Sequence, residues 1–194
     1  MAVTIDPSAT AAPPLIRLSN LWWVAVAFVI AAGAIASGDH WLLNFVHVMT
    51  GLFWTGIDLF MGFVLGPVLR RLDLSARRAI TIRLMPRMVF IMPTLAIITP
   101  TTGWFLAGQL GFLELPWPSM WWTVAALSVS TVLGLQGLGV LLPTNLLVCL
   151  ELQKAAPDFD RLQRRMRRYL WVIASQGAMQ IVIIVIMARF VTGI

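Results

Sequence analysis

The sequence predicts an all-α protein, a polytopic membrane bundle of five transmembrane helices, and three observations carry that prediction. Of the 194 residues 59% are apolar and only 11% charged, whereas soluble domains are roughly 45–50% apolar and about 25% charged. Five stretches reach the length of about 20 mainly apolar residues that a bilayer-crossing helix needs: 21–37, 41–69, 86–113, 120–150 and 169–194. The basic residues gather in two of the connections between them, and loops on the cytoplasmic side concentrate Lys and Arg.

Residues 1–16, rich in Ala, Pro, Ser and Thr and without a periodic apolar face, read as a mobile tail, and 17–194 as a single membrane domain. Span one begins after Arg17. Its Ala34-Ile35-Ala36 before Ser37 has the small-residue form of a signal-peptide cleavage site, and we read it as a retained helix. Arg70, Arg71, Arg77, Arg78, Arg83 and Arg87 lie between or just inside spans two and three. Lys154, Arg161, Arg164, Arg165, Arg167 and Arg168 lie between spans four and five. Both connections are expected in the cytoplasm. Five crossings then put the N-terminus with Arg17 in the cytoplasm and the C-terminus outside, leaving only Arg189 of the fourteen cations toward the outer end. Topology and attraction to an anionic inner leaflet, worth about 1 kcal/mol per residue, explain the net charge of +6. No nucleic-acid partner is expected. The lone Cys149 excludes an internal disulfide and a zinc site built on several thiolates.

Span two, with the turn before it, holds both histidines and the clearest intramembrane carboxylate. At about 100° per residue His40, Asn44, His47, Gly51, Trp54, Asp58, Met61 and Leu65 fall on one stripe. Leu42, Phe45, Met49, Leu52, Phe53, Phe60 and Phe63 oppose it. Polar groups find no partner in lipid, so the stripe is expected to face protein or a ligand. At about 1.5 Å rise per residue, His47 lies roughly 10 Å and Asp58 roughly 25 Å below the outer end of the helix.

A neutral imidazole is a common metal ligand, and Gly51 one turn below would let a flat macrocycle approach. Haem b at the outer side is one reading of His47. The other is a hydrogen bond across helices, with Asn44 as a packing group and His40 at the interface. Two histidines seven residues apart on one helix cannot take opposite faces of one iron. A haem here is therefore five-coordinate, takes a weak ligand such as methionine from another span, or borrows one from a second subunit. Copper is the competing metal, since thioethers such as Met49, Met61, Met88, Met92 and Met120 suit Cu(I), though methionine is also a routine core filler. Asp58 reads either as a proton relay or as a buried hydrogen-bonding group, with Gln136, Gln176 and Gln180 as candidate partners.

Span three carries Pro86, Pro93 and Pro100 at intervals of seven among Thr94, Thr99, Thr101 and Thr102, which predicts a kinked helix whose freed carbonyls are answered by threonine hydroxyls or water. Trp41, Trp104, Trp117, Trp121 and Trp122 predict an outer aromatic belt. In span four the run Gly134 to Gly139 predicts close helix contact and Pro143 a kink. The arginines up to Arg168 read as a solvated connection. No nucleotide loop, zinc-protease helix, serine elbow or Cys-x-x-Cys occurs, which argues against a hydrolase or ATPase.

The segment His47-Val48-Met49-Thr50-Gly51-Leu52-Phe53-Trp54-Thr55-Gly56 resembles a helix of the copper resistance protein D family, of the membrane domain of bacterial urate oxidases and of related small integral membrane proteins. The shared pattern is a histidine, a tryptophan seven residues on and a glycine two further. Gly66-Pro67, Thr102-Gly103 and Leu142-Pro143-Thr144-Asn145 extend the likeness over about residues 40 to 150. The resemblance implies a small helical bundle with His47 matching a haem-b ligand or, in the copper branch, a residue on a copper route. The urate oxidase relatives continue into a cytochrome c domain, whereas no Cys-x-x-Cys-His occurs here. Membrane protoporphyrinogen oxidases are distantly similar around the histidine helix, yet Lys154, the single lysine, stands in a connection and does not match their lysine partner.

The leading expectation is a multi-pass protein of a bacterial inner membrane that binds haem b near the outer leaflet. His47 is the ligand, with His40, Gly51 and Trp54 around the site, and electron transfer is the role, as a subunit of a redox complex or a homo-oligomer. A copper-transport protein using His40, His47 and methionines is the second expectation. A cofactor-free structural or assembly subunit is the third.

Overall fold

The computed structural model describes residues 18–154 and 158–193; the tail 1–16 and Arg17 lie outside the described residues. Those described are overwhelmingly helical, with no strand among them. The α-helices are α1 (Leu21–Ser37), α2 (His40–Leu59), α3 (Gly66–Arg71), α4 (Leu74–Gln109), α5 (Met120–Gln136), α6 (Leu142–Leu152) and α7 (Phe159–Val191). Two π-helical stretches, Phe60–Leu65 and Gly137–Leu141, join α2 to α3 and α5 to α6. Each joined pair therefore runs as one span, and five spans are long and apolar enough to cross a membrane.

Both π stretches have one cause. Pro67 and Pro143 stand at the starts of α3 and α6, and a proline ring collides with the carbonyl four residues before it. Widening the preceding turn relieves the collision, so the Gly66 N–H reaches back five residues to the Met61 carbonyl, and the Leu142 N–H to the Gly137 carbonyl. At Pro143, where the sequence predicts a kink, the chain has a widened turn.

Arginine-rich stretches read as connections are helical instead. The α4 helix starts twelve residues before the predicted span and carries Arg77, Arg83 and Arg87, while α7 starts ten residues before it. Arginine is a good helix former, and each extension has an apolar stripe to bury. Leu162, Met166 and Tyr169 of α7, together with Ile82, Met85 and Val89 of α4, pack into one core cluster with Val148, Cys149 and Leu152 of α6. Across the short α3–α4 turn, the Arg77 guanidinium donates to the carbonyls of Leu69 (2.9 Å) and Arg70 (3.2 Å), capping the C-terminus of α3.

The three prolines lie inside an unbroken α4. Its threonines do not answer the carbonyls those prolines free. Thr94, Thr101 and Thr102 donate to Phe90, Ile97 and Ile98, each four residues back on its own helix, because that carbonyl is in reach of a threonine hydroxyl in any helix. The centre of the bundle is α4, which packs on α1, α2, α5 and α6, while α7 closes against α5, α2 and α6. In the run from Gly134 to Gly139 Gly137 makes a close approach, 3.6 Å from Ala96 Cβ to an added methyl carbon, whereas among the described residues a methyl carbon added at Gly134 or Gly139 meets no other helix within 4 Å. Trp41, Trp104, Trp117 and Trp121 are exposed at the bundle end away from the arginines, where Arg189 lies over the Trp122 ring, 5.9 Å from its centre.

Candidate functional site

The buried face of α2 follows the predicted stripe through its lower two-thirds and departs from it at the top. Trp54, Asp58 and Met61 are buried and His47 and Gly51 half-buried, whereas His40 and Asn44 are exposed and Leu43 is fully enclosed. The upper end of α2 packs against Ala31 and Ala34 of α1 as well as α4, in a cluster that takes in Leu43, Val46 and, at its edge, Leu42. Contact with α1 turns the buried face toward Leu43 and leaves Asn44 and His40 outside. Leu42, expected to face lipid, therefore packs on protein. His40 is the first residue of its helix, next to the capping Asp39 carboxylate, which accepts from the Leu42 N–H at 2.7 Å. The two histidines are not brought together.

His47 is seated on α4. Its Nδ1 lies 3.0 Å from the Thr99 carbonyl oxygen and 3.3 Å from Thr102 Oγ1. Thr102 Oγ1 already donates to the Ile98 carbonyl at 2.8 Å. A carbonyl only accepts, so Nδ1 carries the proton and donates to Thr99. The neutral ring then has Nε2 as its acceptor nitrogen, and no hydrogen-bond partner for Nε2 occurs among the described residues. The seat exists because residue 103 is glycine: a Cβ there would stand 2.7 Å from His47 Cε1 and 3.1 Å from Nδ1. Thr102-Gly103 is thus the complement of the imidazole. Gly51 brings α2 and α4 together a turn lower, where Thr99 Cγ2 lies 3.4 Å from an added Cβ and takes that space.

About 16 Å further along the helix, from eleven residues of rise, Asp58 sits almost fully buried. Gln180 of α7 donates through Nε2 to its Oδ2 at 3.2 Å and accepts from Thr55 Oγ1 at 2.5 Å. The Trp54 indole, packed with Ala96 and Leu133, stands close to the same carboxylate. Of the three glutamines considered as partners, Gln180 is the one on Asp58. Gln176 donates to the Leu133 carbonyl, and Gln136 pairs with Ser175. Met61 and Met85 belong to the core cluster at the arginine-rich end.

One further buried group has no signature in the spacing of apolar residues. Glu151 near the end of α6 is 3% exposed, 2.8 Å from Lys154 Nζ and 3.9 Å from Arg165 Nη1, and accepts from the Asp158 N–H at 3.1 Å. The cue was Lys154 three residues on, at a spacing that puts opposite charges together on a helix. Among the described residues no three His, Cys, Asp or Glu side chains gather as a metal-binding group. An axial haem ligand needs a single imidazole.

No protein-family model matches the chain, and no curated protein or solved structure does.

Proposed function

We propose that this multi-pass membrane protein binds haem b through Nε2 of His47 and serves electron transfer, as a homo-oligomer or a subunit of a membrane redox complex. In this reading the membrane is a bacterial inner membrane, with the arginine-rich end in the cytoplasm and His47 toward the outer leaflet.

The observation that carries the reading is the division of labour between the two ring nitrogens. Histidines that hold a metal almost always donate their other N–H to a carboxylate, a backbone carbonyl or water, which fixes tautomer and ring plane and raises ligand basicity. Thr99 receives that hydrogen bond from Nδ1, Gly103 gives the ring its bed, and Nε2 is left with its lone pair and no partner among the described residues. Helix packing accounts for the Nδ1 contact but leaves the polar Nε2 without use. Next to His47 and Gly103 in the sequence, Val48 on α2 and Trp104 on α4 are exposed, apolar side chains that suit a flat hydrophobic ring system. Haem b, when bound, supplies a one-electron iron couple whose potential the axial ligand and its hydrogen bonding set.

The test is cofactor analysis of the purified full chain, haem by extraction and metals by mass spectrometry, for wild type and His47→Ala. Stoichiometric haem lost in the variant is expected. Copper in place of haem, or neither, overturns the proposal.

A further inference from the structure

A second feature of the bundle stands independently of any cofactor. Beyond Asp58 the sequence runs Asp58, Gly62, Gly66, Arg70, one position every four residues. In a regular α-helix of 3.6 residues per turn such a series winds off its face. The π stretch Phe60–Leu65 holds more residues per turn and offsets that drift, so all four line one cavity of about 130 Å³, with Phe63 beside them and Leu170, Ile173, Ala174 and Gly177 of α7 opposite. Asp58 and Arg70 are the ends of this series, about 18 Å apart by helical rise; Asp58 is buried and Arg70 exposed.

The volume is several times the roughly 10–15 Å³ that one buried water needs. Polar groups that retain water stand at both ends, and glycines between them bare the backbone. A charged carboxylate at this depth is costly unless hydrated, paired or protonated, and its hydrogen-bond partner here is a neutral donor, Gln180. Among the described residues the titratable and charged groups facing it are Arg70 on the same cavity and Tyr169 of α7.

We infer that the glycine-lined cavity is a water-filled half-channel that carries protons between the arginine-rich face and Asp58, making this carboxylate a reversible proton-loading site inside the membrane. A hydronium at the Arg70 end gives up one proton, each water in the file accepts one and passes one on, and the Asp58 carboxylate becomes a carboxylic acid. The reverse sequence returns the proton to the same face.

Infrared difference spectroscopy on the full chain in lipid nanodiscs tests this. The Asp58 carboxyl C=O band is identified by its loss in Asp58→Asn. It should grow as pH falls and shift promptly on transfer to D2O. Gly177→Val fills the cavity at a site where an added Cβ meets Leu59 and Phe63 at ordinary contact distances of 3.6 and 3.7 Å, and should slow the D2O shift about tenfold, an added barrier of about 1.4 kcal/mol. Arg70→Cys, capped after purification with a bulky thiol reagent, should slow it equally in an already folded protein, since the native Cys149 is buried. A carboxyl that never titrates while the protein stays helical, a band indifferent to D2O, or an exchange rate unchanged by the capped cysteine overturns the inference. None of these results depends on haem, so failure here and failure of the haem proposal are distinguishable.

Discussion

Gly103→Ala isolates the seat of His47. The new Cβ would lie 2.7 Å from His47 Cε1 and 3.1 Å from Nδ1, and the ring cannot keep its 3.0 Å contact to the Thr99 carbonyl while moving clear. Overpacking costs about 1–3 kcal/mol and the lost hydrogen bond about 0.5–1.5 kcal/mol. The gain from Gly to Ala inside a helix offsets about 0.5–1 kcal/mol. The net expectation is a loss of about 1–3 kcal/mol. Gly51→Ala is the matched control: its Cβ meets Thr99 Cγ2 at 3.4 Å, so it keeps the helix gain and should be neutral or stabilising. The assay is reversible unfolding in mixed micelles, followed by circular dichroism, with His47→Ala and the double variant completing a cycle. Removing the imidazole should abolish the cost of the Gly103 methyl, because nothing else stands within 3.5 Å of it. A Gly103→Ala protein as stable as wild type, or a penalty that persists without His47, would refute the seating of the ring.

Three further outcomes follow from the same geometry. Gly66→Ala forces a Cβ to 3.0 Å from the Met61 carbonyl, a backbone atom of the widened turn that cannot step aside, and should cost about 1–3 kcal/mol in the same unfolding assay; a neutral result would contradict the π turn before Pro67. Glu151→Ala removes the acceptor shared by Lys154, Arg165 and the Asp158 N–H, and trypsin should cut after Lys154 several-fold faster than in wild type; an unchanged cleavage rate would show that the carboxylate does not hold the start of α7. For orientation, Ser119→Cys should react with an impermeant thiol reagent on intact cells and Asp73→Cys only after permeabilisation, both positions lying in short connections between spans; the opposite pattern would invert the proposed topology.

The spans were legible because length and apolarity are properties of the residues themselves. Their ends were not, since Leu162, Met166 and Tyr169 reveal their shared face only once α4 and α6 supply the core they pack into. The same limit explains His40 and Asn44. Spacing places them with Asp58, but the position of α1 decides which side of the upper helix is covered, and it covers Leu43. The histidine, the aspartate and the pair Thr102-Gly103 could each be picked out in the sequence. That the pair forms the bed of the histidine is a matter of how α2 crosses α4, which no spacing within either helix encodes. The burial of Glu151 is not legible in the sequence because it stands at the end of a span, where a charged residue ordinarily meets water.

The central claim turns on Nε2 of His47, and the optical spectrum of the full chain purified from haem-replete cells, taken beside that of His47→Ala, tests it most directly. The account predicts a Soret band in the wild type that the variant lacks while remaining helical. An apo spectrum in the wild type, or a Soret band of equal strength in both proteins, would contradict it.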